Sequence, residues 1–176
     1  MTETTEPAGL APAPSLDIGT YRFLRLYTKL HQFRTPGLHM VAAQWMIDDY
    51  FGFDRDVTVR PRILVVDHEN IGDSATSRPP LLAVDAPSTG DVLADLDARK
   101  QIYAQSGVRD YWVVDLLEPS LIAFALDDQG QYRTIAKVTG DEPFQATSPF
   151  QVRIVLTELL GSVQQRPIAP IQKGAQ

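Results

Sequence analysis

Residue types that commonly carry out catalysis are sparse in this sequence, and their spacing matches no common catalytic motif. The absence of cysteine excludes disulfides, thiolate nucleophiles and cysteine-ligated metal centres. His31, His39 and His68 have no i,i+4 histidine partner and no HExxH pattern, so they do not predict a zinc site. Ser88 and Thr89 lack the G-x-S-x-G context of a nucleophilic serine, and no phosphate-binding glycine loop is present.

Two helices are predicted before the first strand. Residues 21–33 carry an apolar stripe and a basic stripe at helical spacing, and we expect the basic stripe to be solvated. The apolar stripe consists of Phe23, Tyr27 and Leu30, and the basic stripe of Arg22, Arg25 and Lys29. After Pro36-Gly37, residues 38–51 repeat the helical pattern, with Trp45 on the buried stripe and His39 on the opposite side.

The pattern then changes to that of a sheet. Strands are predicted at residues 57–59, 63–66, 81–85, 111–115, 121–126, 132–138 and 151–155. A crossover helix is predicted over residues 92–105, with Asp91 as its N-cap and Gly107 at its end, and a short helix at 157–161. Residues 127–130 predict a hairpin turn. A crossover helix implies parallel neighbours, so this order predicts an α/β fold with a mixed sheet.

Length and composition fit one globular domain. The 176 residues suffice for one core, and we predict flexible tails at 1–19 and 164–176 around a single domain at 20–163. No signal peptide or membrane-spanning run is visible, which predicts a cytoplasmic protein without a membrane partner. The net charge of −6 disfavours DNA as a partner without excluding a local basic groove.

One stretch resembles a known family. The most specific part is the pattern Y-x-x-x-G-V-x-x-Y-W-x-V-D at residues 103–115, supported by Pro87-Ser88-Thr89 after a strand and by the closing FQVRIVLTELL. Over residues 37–161 the chain resembles a large bacterial family of putative restriction endonucleases in the PD-(D/E)XK superfamily. The resemblance implies a restriction-endonuclease-like mixed sheet with a crossover helix and flanking N-terminal helices.

The same resemblance implies a magnesium site, which this sequence alters. Such nucleases hold the cation between an Asp on one strand and a Glu on the next, with a Lys nearby. Arg62 and Ala83 stand at the two carboxylate positions, while Arg99 stands at the lysine position with Lys100 beside it. Asp85 lies on the same strand face as Ala83, displaced by roughly 6–7 Å. It is either a relocated metal ligand or a cap of the following turn, and the sequence favours the cap.

Asp67 does not replace the missing first ligand. It lies five positions after Arg62, and an odd spacing in a strand directs it to the opposite face. We therefore predict that Asp67 is a turn residue at the end of its strand.

Three functional interpretations follow. The first is a degenerate nuclease-fold protein without metal chemistry, reused as a binding module or for small-molecule chemistry, with Arg62 and Arg99 favouring a small anionic ligand near Asp85. It expects no cofactor. The second is an active magnesium-dependent DNA endonuclease whose relocated ligands include Asp85. The third is a structural homodimer.

Overall fold

The computed structural model describes residues 18–42, 61–70, 78–86 and 96–160. Within these ranges the chain forms three α-helices, eight strands and one short 3₁₀ helix. The helices are α1 (Ile18–Phe33), α2 (Leu96–Gln105) and α3 (Leu156–Leu160), and the 3₁₀ helix is His68–Asn70. The strands are β1 (Leu38–Ala42), β2 (Ile63–Asp67), β3 (Leu82–Asp85), β4 (Asp110–Asp115), β5 (Ser120–Leu126), β6 (Tyr132–Thr139), β7 (Pro143–Ala146) and β8 (Val152–Val155).

Six strands form one mixed sheet in the order β1-β2-β3-β4-β5-β6, and β7 and β8 form a separate two-stranded sheet. β3 and β4 are parallel, whereas the other described neighbours are antiparallel. Helix α2 lies between these two parallel strands in the chain, as a crossover connection requires. The predicted α/β fold with a mixed sheet and a crossover helix is confirmed.

The sheet has two differently covered sides. On the side that we call the α1 face, Leu26 and Leu30 of α1 share a core with Trp112 of β4 and with Phe144 of the β7–β8 hairpin. On the other side, the α2 face, Tyr103 of α2 packs in a smaller cluster whose strand members are Leu64, Ala83, Tyr111, Val113 and Phe124. Successive strand residues point to opposite faces, so Tyr111 and Trp112 separate the two cores.

Most predicted strands correspond to observed ones. The predictions at 63–66, 81–85 and 111–115 are β2, β3 and β4, and those at 121–126 and 132–138 are the β5–β6 hairpin. Its turn is held by Asp127, whose Oδ1 accepts hydrogen bonds from the backbone of Gln129 and Gln131. The predicted last strand is β8, but its partner β7 was not predicted. The strand at 57–59, the Asp91 cap and Trp45 lie outside the described residues, as do the predicted tails apart from 18 and 19.

The predicted helix at residues 38–51 is wrong at its start, since Leu38–Ala42 is strand β1. The strand pairs antiparallel with β2, from Leu38 opposite Asp67 to Ala42 opposite Ile63. Met40 is buried and His39 exposed, which is the two-residue alternation of a strand. Pairing with β2 satisfies backbone groups that would otherwise lie at an open sheet edge, and this outweighs a local helical pattern.

The prediction that the basic stripe of α1 is solvated is wrong for one residue. Arg22 is 1% exposed, and its Nη1 donates hydrogen bonds to the carbonyl oxygens of Leu116 at 2.6 Å and Leu117 at 3.1 Å. These carbonyls follow the end of β4, so Arg22 fixes α1 to the chain where it leaves the sheet. Arg25 on the same stripe is exposed, as predicted.

The helices are short or amphipathic. Among the described residues, no helix has both the length and the apolar character needed to cross a membrane.

Candidate functional site

A buried carboxylate lies at the end of β3, on the α2 face. Asp85 is 1% exposed. Its Oδ2 accepts hydrogen bonds from the Tyr111 hydroxyl at 2.8 Å and from Arg99 Nη1 at 3.0 Å. Its Oδ1 accepts one from the Tyr103 hydroxyl at 3.4 Å. Both carboxylate oxygens are therefore occupied by protein donors.

The parallel β3–β4 pair and helix α2 bring these four side chains together. Ala83 pairs with Tyr111 and Asp85 with Val113 in register, which places the Tyr111 ring diagonally beside Asp85 on the same face. Arg99 and Tyr103 are four residues apart on α2, so they project from the same side of the helix toward the sheet. The rings of Tyr103 and Tyr111 lie 4.8 Å apart, centre to centre.

Gly107 allows the chain to turn from α2 back into β4. Its φ is +74°, a left-handed conformation that disfavours residues with a Cβ atom. The backbone N–H of Gly107 bonds Ala104 O at 3.0 Å, and that of Val108 bonds Tyr103 O at 3.0 Å, which closes the end of the helix. The prediction that Gly107 ends the helix agrees with this geometry.

Burial dominates the electrostatics of the network. Burial raises the pKa of Asp85 above its ordinary value, although the hydrogen bonds from Tyr111, Arg99 and Tyr103 oppose this shift. Burial and the nearby Asp85 carboxylate both raise the pKa of Tyr103 and of Tyr111. The two phenols therefore stay protonated at physiological pH and act as hydrogen-bond donors. Neither is placed to serve as a base.

The backbone of Arg62 lies beside Asp85, but its side chain points away from the site. Its N–H donates to Val84 O at 2.8 Å, one residue before Asp85. Its guanidinium carbon, however, lies 4.3 Å from the centre of the Phe23 ring, and Phe23 belongs to the core of the α1 face. Arg62 and Arg99 therefore act on opposite sides of the sheet.

The other residues singled out from the sequence do not bond Asp85. Lys100 Nζ lies 3.7 Å from Asp97 Oδ1 and 5.0 Å from the centre of the Phe124 ring. Ala83 is fully buried in the α2-face core and offers no polar atom from its side chain. Asp67 Oδ1 accepts a hydrogen bond from the backbone of Glu69 at 3.3 Å, as predicted for a turn residue. Of the candidates Arg62, Asp85, Arg99 and Lys100, the structure brings Asp85 and Arg99 together.

Comparison with known proteins identifies the family. The model of the Uma2 family, described as "Putative restriction endonuclease", matches residues 21–158 of this chain. The chain belongs to the Uma2 family. Among solved structures, it is similar to a putative nuclease of DUF820 from Anabaena variabilis, with a TM-score of 0.57 and 12% sequence identity over 83% of this chain and 82% of that one. No curated protein sequence matches the chain.

Active nucleases of the Uma2 type are expected to use magnesium, and the described residues do not fit this ion. Magnesium requires about six oxygen ligands in octahedral geometry. Around Asp85 the described neighbours are one guanidinium and two phenol donors, and Arg99 Nη1 already occupies Oδ2 at 3.0 Å. Among the residues that the structure describes, no group of three His, Asp or Glu side chains is arranged to hold a metal ion.

The sequence did not predict the roles of Tyr103 and Tyr111. Both belong to the motif that indicated the resemblance to putative restriction endonucleases, yet nothing in the motif shows that their hydroxyls meet one carboxylate. The i,i+4 spacing of Arg99 and Tyr103 is a signal that could have paired them. The partners of Asp85 among the described residues are side chains of α2 and β4, and the turn at 87–90, which the sequence predicts Asp85 to cap, lies outside the described residues.

Proposed function

We propose that this Uma2 protein has replaced the metal-dependent nuclease site of its fold with a metal-free ion-pair network and acts as a binding module. The observation that carries the proposal is the Asp85–Arg99 contact of 3.0 Å, in which a guanidinium pairs with the carboxylate nearest to the vacant ligand position at Ala83. Through these side-chain contacts the network joins α2 to the sheet.

The identity of the cation strengthens the proposal. Arginine keeps its charge at any physiological pH and cannot act as the proton-exchanging lysine of a nuclease. A magnesium ion beside Asp85 would face this charge at close range. It would also have to displace Arg99 from a carboxylate that is 1% exposed, leaving a buried ion pair broken.

The exposed part of Arg99 favours an anionic ligand for such a module. The Arg99 side chain is 36% exposed, and of its guanidinium donors the Nη1 group is engaged with Asp85. The remaining donors can form hydrogen bonds with a phosphate or a carboxylate group. Arg62 does not contribute to this surface, because its guanidinium lies on the α1 face.

A nuclease assay tests the loss of metal chemistry. Supercoiled plasmid would be incubated with the wild type, Asp85→Asn and the control Asp97→Asn, in the presence of magnesium or manganese. Asp97 is a suitable control because its carboxylate is 99% exposed and lies on α2, the helix that carries Arg99. We expect none of the three proteins to cleave the plasmid. Metal-dependent cleavage that Asp85→Asn abolishes and Asp97→Asn retains would instead establish the relocated-ligand endonuclease.

A phosphate titration tests the binding surface. We expect inorganic phosphate to perturb the NMR signals of residues around Arg99 in the wild type, and Arg99→Gln to remove this effect. Perturbations that persist unchanged in Arg99→Gln would contradict an anion site at this residue.

The homodimer stays a separate prediction, which light scattering tests.

A further inference from the structure

A second candidate site lies on the α1 face, at the opposite end of β4 from Asp115. It is an open groove of about 820 Å³ between the sheet, the β7–β8 hairpin and the end of α1. Its volume lies within the ordinary range of small-molecule sites. The residues that define its chemistry are Asp110, Ser148, Phe33, Ile135, Val152 and Arg153.

A buried carboxylate faces this groove with one oxygen free. Asp110 is 2% exposed and lines the groove. Its Oδ2 accepts a hydrogen bond from Ser148 Oγ at 2.7 Å. Within the described part of the chain, no donor bonds its Oδ1. Because Oδ1 has no protein donor among the described residues and yet is not a fully buried atom, it is accessible from the groove, where a donor on a ligand can bond it.

The groove walls are apolar and accessible. Ile135 of β6 is 55% exposed, and Phe33 at the end of α1 is 39% exposed. Both are large hydrophobic side chains that would lose contact with water if a ligand filled the groove. Arg153 lies on the exposed side of β8, whereas Asp110 is buried. The groove therefore combines an apolar wall and the exposed cation Arg153 with the buried carboxylate of Asp110.

We propose that this groove binds small amphipathic amines, with the protonated amine at Asp110 Oδ1 and the apolar body against Phe33 and Ile135. An ammonium group supplies a donor to Oδ1 and brings a positive charge into direct contact with the carboxylate, and a charge-assisted hydrogen bond is stronger than a neutral one. The net charge of −6 favours the approach of cations. An anionic ligand would be repelled by the carboxylate.

The amine site is independent of the proposed function. Asp110 and Tyr111 are adjacent in β4 and point to opposite faces, so the groove and the Asp85 network lie on opposite sides of the sheet. Burial raises the pKa of Asp110, with the Ser148 hydrogen bond and the charge of Arg109 opposing the shift. An ammonium group at Oδ1 would lower it, which gives the site its own spectroscopic readout.

The test uses 2-phenylethylamine as the probe and 2-phenylethanol as its neutral counterpart. Each would be titrated at neutral pH into the full-length, isotope-labelled wild type and followed by NMR. We expect saturable shifts at residues lining the groove, such as Ile135, Ser148 and Val152, with the amine binding about tenfold or more tightly than the alcohol. Equal affinity for the two probes, or no shifts at these residues, would overturn the proposal.

Variants distinguish the contribution of the Asp110 carboxylate to binding from that of the apolar wall. Asp110→Asn keeps an acceptor for Ser148 and removes the charge, so amine affinity should fall about tenfold or more. Glu118→Gln removes an exposed carboxylate beyond the other end of β4 and should leave the affinity for the amine unchanged. Ile135→Ala should weaken both probes about equally, by a few-fold, because it reduces the apolar wall. An Asp110→Asn protein that binds the amine as the wild type does would overturn the proposal.

A measurement on the wild type alone covers the case in which Asp110→Asn fails to fold. Carboxyl carbon NMR can follow the titration of Asp110 with and without the amine. We expect the amine to lower the pKa of Asp110 and the alcohol to leave it unchanged. An Asp110 titration that the amine does not alter would overturn the proposal, whatever the nuclease assay shows for Asp85.

Discussion

Two buried aspartates, one on each face of the sheet, differ in what surrounds them. Asp85 is 1% exposed and Asp110 is 2% exposed, and burial raises the pKa of both. Asp85 accepts hydrogen bonds from a guanidinium and two phenols, whereas Asp110 accepts one from the hydroxyl of Ser148. Burial is thus nearly the same, and the set of partners distinguishes the two carboxylates.

This difference distinguishes a buried carboxylate that stabilises the fold from one that is available to bind a ligand. A carboxylate saturated by protein donors, such as Asp85, has little remaining capacity for a ligand. A carboxylate that is buried but undersupplied, such as Asp110, gains from an external donor. The family resemblance directs attention to the α2 face, whereas the carboxylate with an oxygen accessible from a groove lies on the α1 face.

The largest expected effect is on Asp85. Asp85→Ala removes the acceptor of two buried hydroxyls and of Arg99, and we expect the free energy of unfolding to fall by about 3 kcal/mol. This figure lies at the lower end for a broken buried pair, because the Arg99 side chain is 36% exposed and can be partly solvated. Urea unfolding would measure it, with Asp97→Ala as the exposed control. If Asp85→Ala and Asp97→Ala unfold at the same urea concentration, the Asp85 network does not stabilise the fold and the contrast with Asp110 fails.

Replacement of Arg22 should have the next largest effect on the free energy of unfolding. Arg22→Leu leaves the carbonyls of Leu116 and Leu117 without their donor, and we expect a loss of about 2 kcal/mol. Arg22 bonds carbonyls beyond the C-terminal end of β4, whereas Asp110 lies at the start of the same strand.

Arg25→Leu is the matched control for Arg22→Leu. Arg25 is on the same helix and is exposed, with a longer hydrogen bond of 3.3 Å to Glu158 O. We expect the control to change the urea midpoint little. If both variants destabilise the protein equally, Arg22 does not have the anchoring role that its burial indicates.

The smallest expected effect is the pH dependence contributed by Asp110. Its pKa is raised in the folded state, so the folded protein holds its proton more tightly than the unfolded chain does. Its stabilising contribution is therefore complete below the ordinary carboxyl pKa and is lost as the pH rises through the folded-state value. Asp110→Asn removes this loss and should be more stable than the wild type at neutral pH, by on the order of 1 kcal/mol.

Urea unfolding at several pH values would measure this difference between the wild type and Asp110→Asn. We expect it to shrink as the pH falls toward the ordinary carboxyl value. A difference that stays constant, or grows on acidification, would show that Asp110 is adequately compensated by the protein and would weaken the contrast with Asp85.

The elements that the sequence predicted correctly are those with a clear local pattern. Continuous apolar runs predicted β2, β3 and β4 because these strands are covered on both sides, and the turn at 127–130 predicted the β5–β6 hairpin. The prediction failed at Leu38–Ala42, where pairing with β2 makes a strand of a segment with helical spacing. It also missed β7, which has four residues and begins with a proline.

The candidate site was predictable in part. Asp85 and Arg99 were selected from positions in a family pattern, and their side chains meet. Arg62 was selected in the same way, and its guanidinium turns to Phe23 on the other face. Asp110 was not selected, because its partner Ser148 is 38 residues away and no local spacing relates the two.

The sequence by itself determined the periodic elements, the mixed sheet with its crossover helix, and the substitution of arginine at two positions of a nuclease pattern. These properties depend on residues within a few positions of one another. Only the tertiary structure decided that Arg99 neutralises Asp85, that Arg22 is buried, and that Asp110 keeps a free oxygen in a groove. Each of these depends on the packing of segments distant in the chain, which sets the face and the partners of a side chain.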